Sequence, residues 1–211
     1  MHYLSLLCLI LLSLSVRAQN SEIKPVIIAS FKHVSPSILE MEKLVSAMYK
    51  KAGIPHQFKR FSMARALIEA KEGRVDALLG HPEGTENIVV GLEPIGTTLK
   101  VQRFALFSTK LKSNNYNNYK IVVLRGMPYV EKALEDKGIR FTTHPEVKSI
   151  AELIRLDRYD TTIMSIENDE WARKKVGNLK QVSDVILEFP IVHYVSKKRP
   201  EVISKFKALI Q

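Results

Sequence analysis

The chain has one cysteine, Cys8, and it lies inside an apolar run at residues 4 to 16. A chain that loses this run on export would contain no thiol, which excludes a disulfide, a cysteine nucleophile and a cysteine-bound metal. Long hydrophobic runs are also missing, and residues 4 to 16 are short for a bilayer span. Neither Gly-x-Ser-x-Gly nor His-Glu-x-x-His occurs, and the six histidines (His2, His33, His56, His81, His144, His193) show no short metal-ligand spacing. The lone tryptophan, Trp171, reads as packing. Acid is scarce relative to base: 32 Lys and Arg against 22 Asp and Glu give a net charge of +10. The basic residues are scattered, with Lys197-Lys198-Arg199 the densest group, read as a solvated helix start. No aromatic-interleaved basic motif marks a nucleic-acid binder. The charge favours anionic ligands or an anionic surface.

What is present begins with a leader. LSLLCLILLSLSV ends at Val16-Arg17-Ala18, whose small residues fit a secretory cleavage site, although the usual basic start is reduced to His2 and the amine. Cleavage after Ala18 and a periplasmic location are expected, and an uncleaved anchor is the alternative. Cys8 lacks the small residues of a lipoprotein site. Removing 18 of the 211 residues leaves 193, with a net charge of +9.

The stretch MARALIEAKEGRVDALLG, Met63 to Gly80, changes period midway. Met63, Ala66, Leu67 and Ala70 form one helical face, with Ser62 placed to cap it and Gly73 to end it. Val75 to Leu79 reads as a buried strand with Gly80 at its carboxyl end. Before it, Pro25–Phe31 reads as a strand. A helix follows, capped by Ser35 or Ser37, buried through Ile38, Met41, Leu44, Val45 and Met48, and ended at Gly53. Residues 54 to 61 alternate as a second strand. The first part is therefore βαβαβ, the unit of an open parallel sheet.

Beyond the Pro82–Asn87 loop, residues 88–95 and 101–108 read as two strands, and the Asn-rich 110–119 as a surface loop. The pattern then restarts with strands at 121–124, 139–142 and 161–164 and helices at 129–137 and 147–156. RYDTTIMS echoes GRVDALLG, and Asp76 and Asp160, at matching points, read as structural groups bonding nearby backbone. A helix over 167–175, a segment around Pro190 that bends or sits at an edge, and a closing helix over 199–210 complete the chain. The expected fold is α/β with two lobes, each an open, mostly parallel sheet with flanking helices. Lobe 1 would comprise residues 19–100 and 191–211, and lobe 2 residues 101–190. Strand ends of both would line a cleft, the usual place for a small ligand.

ALIEAKEGRVDALLG, GLEPIGTTLKVQRFALFSTK, YKIVVLRGMPYVEKAL and YVSKKRPEVISKFKALI, in this order, resemble the periplasmic type II solute-binding proteins, the amino-acid-binding branch in particular. GTENIVVGLEPI resembles small exported members known as transporter substrate-binding domain proteins. The resemblance covers the whole mature chain. It implies a periplasmic-binding-protein-like type II fold and a monomeric, cofactor-free, non-enzymatic binder. Its partners would be a small-molecule ligand and an inner-membrane permease of the ABC type, or a membrane sensor kinase or cyclase. One departure stands out: the family's Thr-x-x-Arg, whose Arg grips a ligand carboxylate, is matched by GHPEGTENIV, with no Arg and with Thr85 or Glu86 near the place. A polar anionic or zwitterionic ligand is expected, though not a standard α-amino acid held in the usual way.

The candidate ligand-binding residues are Phe31 and His33 after the first strand, Arg65 in a helix start where a cation is unfavourable, His81 and Glu83 after Gly80, Arg125 and Gly126 before a helix whose free N–H groups suit an anion, and Ser165 and Glu167. Each has a plainer reading. His33 is equally a loop histidine, Arg65 a solvated one, and Ser165 and Glu167 a cap and an acid at a helix start. Ser165 stands where the family often places an Asp for a ligand amine. His33, His81 and Glu83 converging on acid–base or metal chemistry is the minor alternative.

Overall fold

The computed structural model describes residues 23–32, 34–110, 118–168 and 179–210. Most of the expected helix over 167–175 (all but Glu167 and Asn168), Trp171 and most of the 110–119 loop lie outside them. The elements in order are β1 (Val26–Phe31), α1 (Pro36–Lys51), β2 (His56–Phe61), α2 (Met63–Lys71), β3 (Ala77–Pro82), a 3₁₀ turn (Thr85–Asn87), β4 (Leu92–Ser108), β5 (Ile121–Leu124), α3 (Pro128–Asp136), β6 (Phe141–His144), α4 (Val147–Arg155), β7 (Thr161–Ser165), a 3₁₀ turn (Ile166–Asn168), β8 (Lys180–Gln181), β9 (Leu187–Ser196) and α5 (Pro200–Ile210). Among the described residues no helix is long and apolar enough to cross a membrane.

The strands form one path, β2-β1-β3-β9-β4-β7-β5-β6, with β8 on β4. Its two ends are copies of one plan. In lobe 1, β2, β1 and β3 are parallel and β3 meets an antiparallel β9. In lobe 2, β6, β5 and β7 are parallel and β7 meets an antiparallel β4. The long strands β4 and β9 pair with each other through both lobes, so they are at once sheet members and connections.

Local chemistry explains the helices. Ser35 caps α1, accepting from Ile38 N–H at 3.3 Å with Pro36 in the first turn, and Ser62 caps α2 by accepting from Arg65 N–H at 3.4 Å. Gly73 follows α2 at φ +70°, in the region glycine alone enters freely. The α1 face of Met41, Val45 and Tyr49 packs with α5 (Val202, Ile203, Phe206) on one face of the lobe 1 sheet, while Ala66 of α2 joins Val75, Leu78 and Tyr194 on the other. Burying such a side chain stabilises by about 2 kcal/mol each. Lobe 2 repeats this with Val130 and Leu134 of α3 on one face and Ile150 and Ile154 of α4 on the other.

The paired aspartates have the backbone role read from the sequence. Asp76 accepts from Ile27 N–H at 2.8 Å, and its own N–H donates to Ile27 O at 2.8 Å. Asp160 accepts from Lys120 N–H at 2.8 Å, and its own N–H donates to Lys120 O at 2.9 Å. Each ties the start of the third parallel strand to the first. Asp76 also meets Arg199 Nη1 at 3.0 Å.

Four expectations need correction. The 88–95 and 101–108 strands are one strand, β4, whose register with β9 shifts between Ile95 and Lys100; the extra residues around Gly96 bulge out where the chain passes between lobes. β3 does not stop at Gly80 but continues through His81 to Pro82, which pairs with Ile191. Gly80 fits closely there, since a Cβ would lie 3.0 Å from Ile191 Cγ2 and 3.1 Å from Met41 Sδ and push both side chains back. β6 lies at 141–144, two residues later than read. Pro190 belongs to β9, an interior strand. Its carbonyl accepts from Glu83 N–H at 2.9 Å, one step beyond the last residue of β3, so the single bond its missing N–H forfeits lies at the very end of the β3–β9 ladder.

Candidate functional site

The carboxyl ends of β1, β2 and β3 in lobe 1 and of β5, β6 and β7 in lobe 2 turn toward each other across the β4–β9 crossover. Phe31, at the end of β1, stacks obliquely on His81, ring centroids 5.5 Å apart. His81 is 1% exposed, and its Nε2 has no hydrogen-bond partner. Burial pushes its pKa down to about 4, so it is neutral at ordinary pH. Phe189 of β9 packs against the hydrophobic clusters of both lobes and meets Tyr129 edge-on at 5.2 Å, giving the crossover an aromatic floor.

The lobes touch at one rim. The Tyr129 hydroxyl donates to Met63 Sδ at 3.4 Å. Gly126, at φ +92°, lies so close to the start of α2 that a Cβ there would stand 2.7 Å from Ala64 Cβ. On the far side, the start of α1 lies beside the Ile166–Asn168 turn. Between these contacts is a residue the sequence reading missed: Lys100, on β4 just past the bulge, donates from Nζ to Ser37 Oγ at 2.5 Å in the first turn of α1. That turn holds no acid, and among the described residues Lys100 has no ion-pair partner. An ammonium at the positive end of a helix dipole is unfavourable unless an anion joins it. Nothing in the local pattern marks Lys100, because its neighbourhood is made by α1, 63 residues earlier.

The expected residues are distributed as follows. Phe31 and His81 are brought together. Glu83 is exposed, its N–H bonded to Pro190 O. Arg125 is exposed at the end of β5, its N–H donating to His144 O at 2.8 Å, and Gly126 N–H donates to Glu131 Oε1 at 3.3 Å. Arg65 does not stand free: its Nε is 2.5 Å from Glu69, which also takes Arg74 at 2.6 Å. Ser165 is buried and donates to Glu167 at 2.7 Å, while Glu167 pairs with Arg103 at 2.9 Å. Burial pushes the Glu167 carboxyl up, but the bonds from Ser165 and Arg103 outweigh it and hold it below the usual range. His33 lies outside the described residues. Among those described, no group of three His, Cys, Asp or Glu is placed to hold a metal.

The loop that carries Thr85 and Glu86 is occupied by its own structure. Thr85 Oγ1 donates to Pro82 O at 2.6 Å, and Thr85 N–H to the Tyr194 hydroxyl at 3.3 Å. The Tyr194 hydroxyl in turn lies 2.7 Å from Glu86 and holds that carboxyl below its usual range. Neither side chain is left for a ligand.

The architecture is the two-lobed type II fold of periplasmic binding proteins. Among solved structures, the sensor domain of a histidine kinase similar to periplasmic binding proteins superposes with a TM-score of 0.70 at 15% identity, covering 90% of both chains. An ancestral arginine-binding protein bound to arginine superposes at 0.67 and 12%, covering 90% of this chain and 92% of its own. A putative L-cystine ABC transporter protein from Listeria monocytogenes superposes at 0.65 and 16%, covering 90% and 89%. No protein-family model matches the sequence, and no curated protein sequence matches it.

Proposed function

We propose that the chain is an exported, non-enzymatic binding protein whose lobes, 19–100 with 191–211 and 101–190, close on a small anionic or zwitterionic solute. The observation that carries this is Lys100, held at the acid-free start of α1 between strand ends of two lobes. With Arg125 at the end of β5, it supplies positive charge to the cleft from both sides, in place of the absent Arg after β3. Phe31 and the unpartnered His81 give an aromatic wall and one hydrogen-bonding nitrogen. Arg65 and Glu167 serve the scaffold, each being already paired. A closed state favoured by the ligand would be the signal passed on. Structural neighbours include both transport and sensor proteins, so delivery to an ABC-type permease and reporting to a membrane sensor are both consistent with the fold. The likeness to the kinase sensor domain favours keeping the second.

A thermal-shift screen against amino acids, organic acids, polyamines, sugars and divalent metals tests the reading, since a ligand bound only by the native state raises the Tm. Organic acids or amino acids are expected to shift it. Arg125→Ala and Lys100→Ala should each weaken that ligand at least about tenfold, about 1.4 kcal/mol, with the Tm of the free protein nearly unchanged. A shift with sugars or polyamines alone, or full affinity in both variants, overturns the anionic site.

A further inference from the structure

Lobe 1 has a second face, opposite the cleft, where β1 and β3 begin, β4 begins and β9 ends. The described chain enters there: Arg199 Nη2 donates to Lys24 O at 2.7 Å. Lys197 N–H donates to Gly91 O at 2.8 Å, and Lys198 Nζ lies 3.2 Å from where a Cβ on Gly73 would stand. The entry segment, the turn after α2, the loop before β4 and the turn after β9 therefore meet on one surface.

The charges of this surface do not cancel. Lys24, Lys71, Lys197 and Lys198 are exposed, and none forms an ion pair among the described residues. Of the nearby acids, Glu72 pairs with Arg74, Asp76 and Glu201 share Arg199, and Glu86, bonded by the neutral Tyr194 hydroxyl, is also drawn toward Lys197, so the four lysines outnumber the acid charges left over. Val90 protrudes beside them, 87% exposed. A single exposed aliphatic residue means little by itself. Beside four lysines that form no ion pair among the described residues it forms a basic surface with an apolar tip, the pattern that engages anionic headgroups. The sequence leading into the same face carries the apolar run of residues 4–16, and residues 17–22 reach at most about 21 Å. While that run is attached, a bilayer engaged by it lies on this side of lobe 1, which favours lipid over an acidic protein.

We propose that this face docks on an anionic phospholipid bilayer, with its lysines against headgroup phosphates and Val90 at the acyl boundary, leaving the cleft turned away from the membrane. Only the compartment in which such a bilayer is met rests on the export reading, so vesicle binding and ligand binding stand or fall separately.

Flotation of the full chain with phosphatidylcholine vesicles, with and without phosphatidylglycerol, tests this. The apolar run would bind both kinds alike, so the difference between them reads the basic face. Phosphatidylglycerol is expected to tighten binding about tenfold at low salt, with the gain lost at high salt. Lys197→Glu with Lys198→Glu should abolish most of that gain, and Val90→Asp should reduce it, with an unchanged Tm showing that the variants are folded. Equal binding to both vesicle kinds, or a gain that survives charge reversal, overturns the proposal. So does loss of an acidic protein partner in the variants while vesicle binding persists.

Discussion

Lobe 1 and lobe 2 are built on one plan yet carry different interiors. In lobe 1 all six residues of β3 are buried, the neutral His81 among them, and His193 of β9 is sealed in the core. His193 donates from Nδ1 to Leu79 O at 3.2 Å and accepts at Nε2 from the Tyr49 hydroxyl at 3.0 Å. In lobe 2 the corresponding strand, β7, ends in Ser165 tied to an ion pair, and among the described residues His144 there is only half-buried. The same connectivity can therefore be filled with titratable or with inert groups, and the difference should appear as unequal sensitivity to pH.

The largest expected effect follows from this. Burial holds His81 and His193 at a pKa of about 4, against about 6.5 when unfolded. As pH falls, the unfolded chain takes up protons first, so stability that is complete above about 6.5 is lost progressively toward 4, by up to about 3 kcal/mol per histidine. Urea unfolding at pH 7 and 4.5, with hydrogen exchange read by lobe, should show lobe 1 amides losing protection first. Equal loss in both lobes would remove the distinction.

The aspartate pair sharpens it next. Asp76→Ala strands a buried N–H and the half-paired Arg199, and should cost about 3 kcal/mol. Asp160→Ala frees the exposed Lys120 N–H and should cost less, about 1–2 kcal/mol. Equal costs in urea titrations would remove this difference between the lobes.

A smaller effect tests the contact between the lobes. Gly126→Ala places a methyl against Ala64 at a positive φ and should cost about 2 kcal/mol. Combining it with Ala64→Gly should recover part of that cost. A double variant no better than the single one would assign the loss to backbone strain together with the Ala64 backbone, whose N and Cα would lie 3.1 and 3.2 Å from the new methyl.

Much of this chain was legible in local pattern. Ser35, Ser62 and Gly73 bounded their helices as expected because caps and left-handed turns depend on the residues beside them. The repeated Asp was readable because two copies of one unit solve one backbone problem in the same way. The continuation of β3 through His81 was not legible, because pairing with Ile191 more than a hundred residues away makes His81 and Pro82 strand. The tolerance of Pro190 likewise depends on where a neighbouring strand stops. At the site, sequence pointed to strand ends and so to Phe31, His81 and Arg125, which need only the βαβ register. It did not show that the charges of Arg65 and Glu167 are taken by Glu69 and Arg103, nor that Lys100 meets the start of α1, because those neighbours belong to positions or elements outside the local pattern.

By itself the sequence determined two α/β repeats, their helix ends, the missing thiols and the excess of positive charge, since these follow from periodicity, backbone preference and composition. The tertiary structure decided which charges are spent and which are free: Lys100 at the cleft and Lys197 and Lys198 on the opposite face. Ion pairing is a matter of distance, and distances between remote segments are set only when the sheet closes.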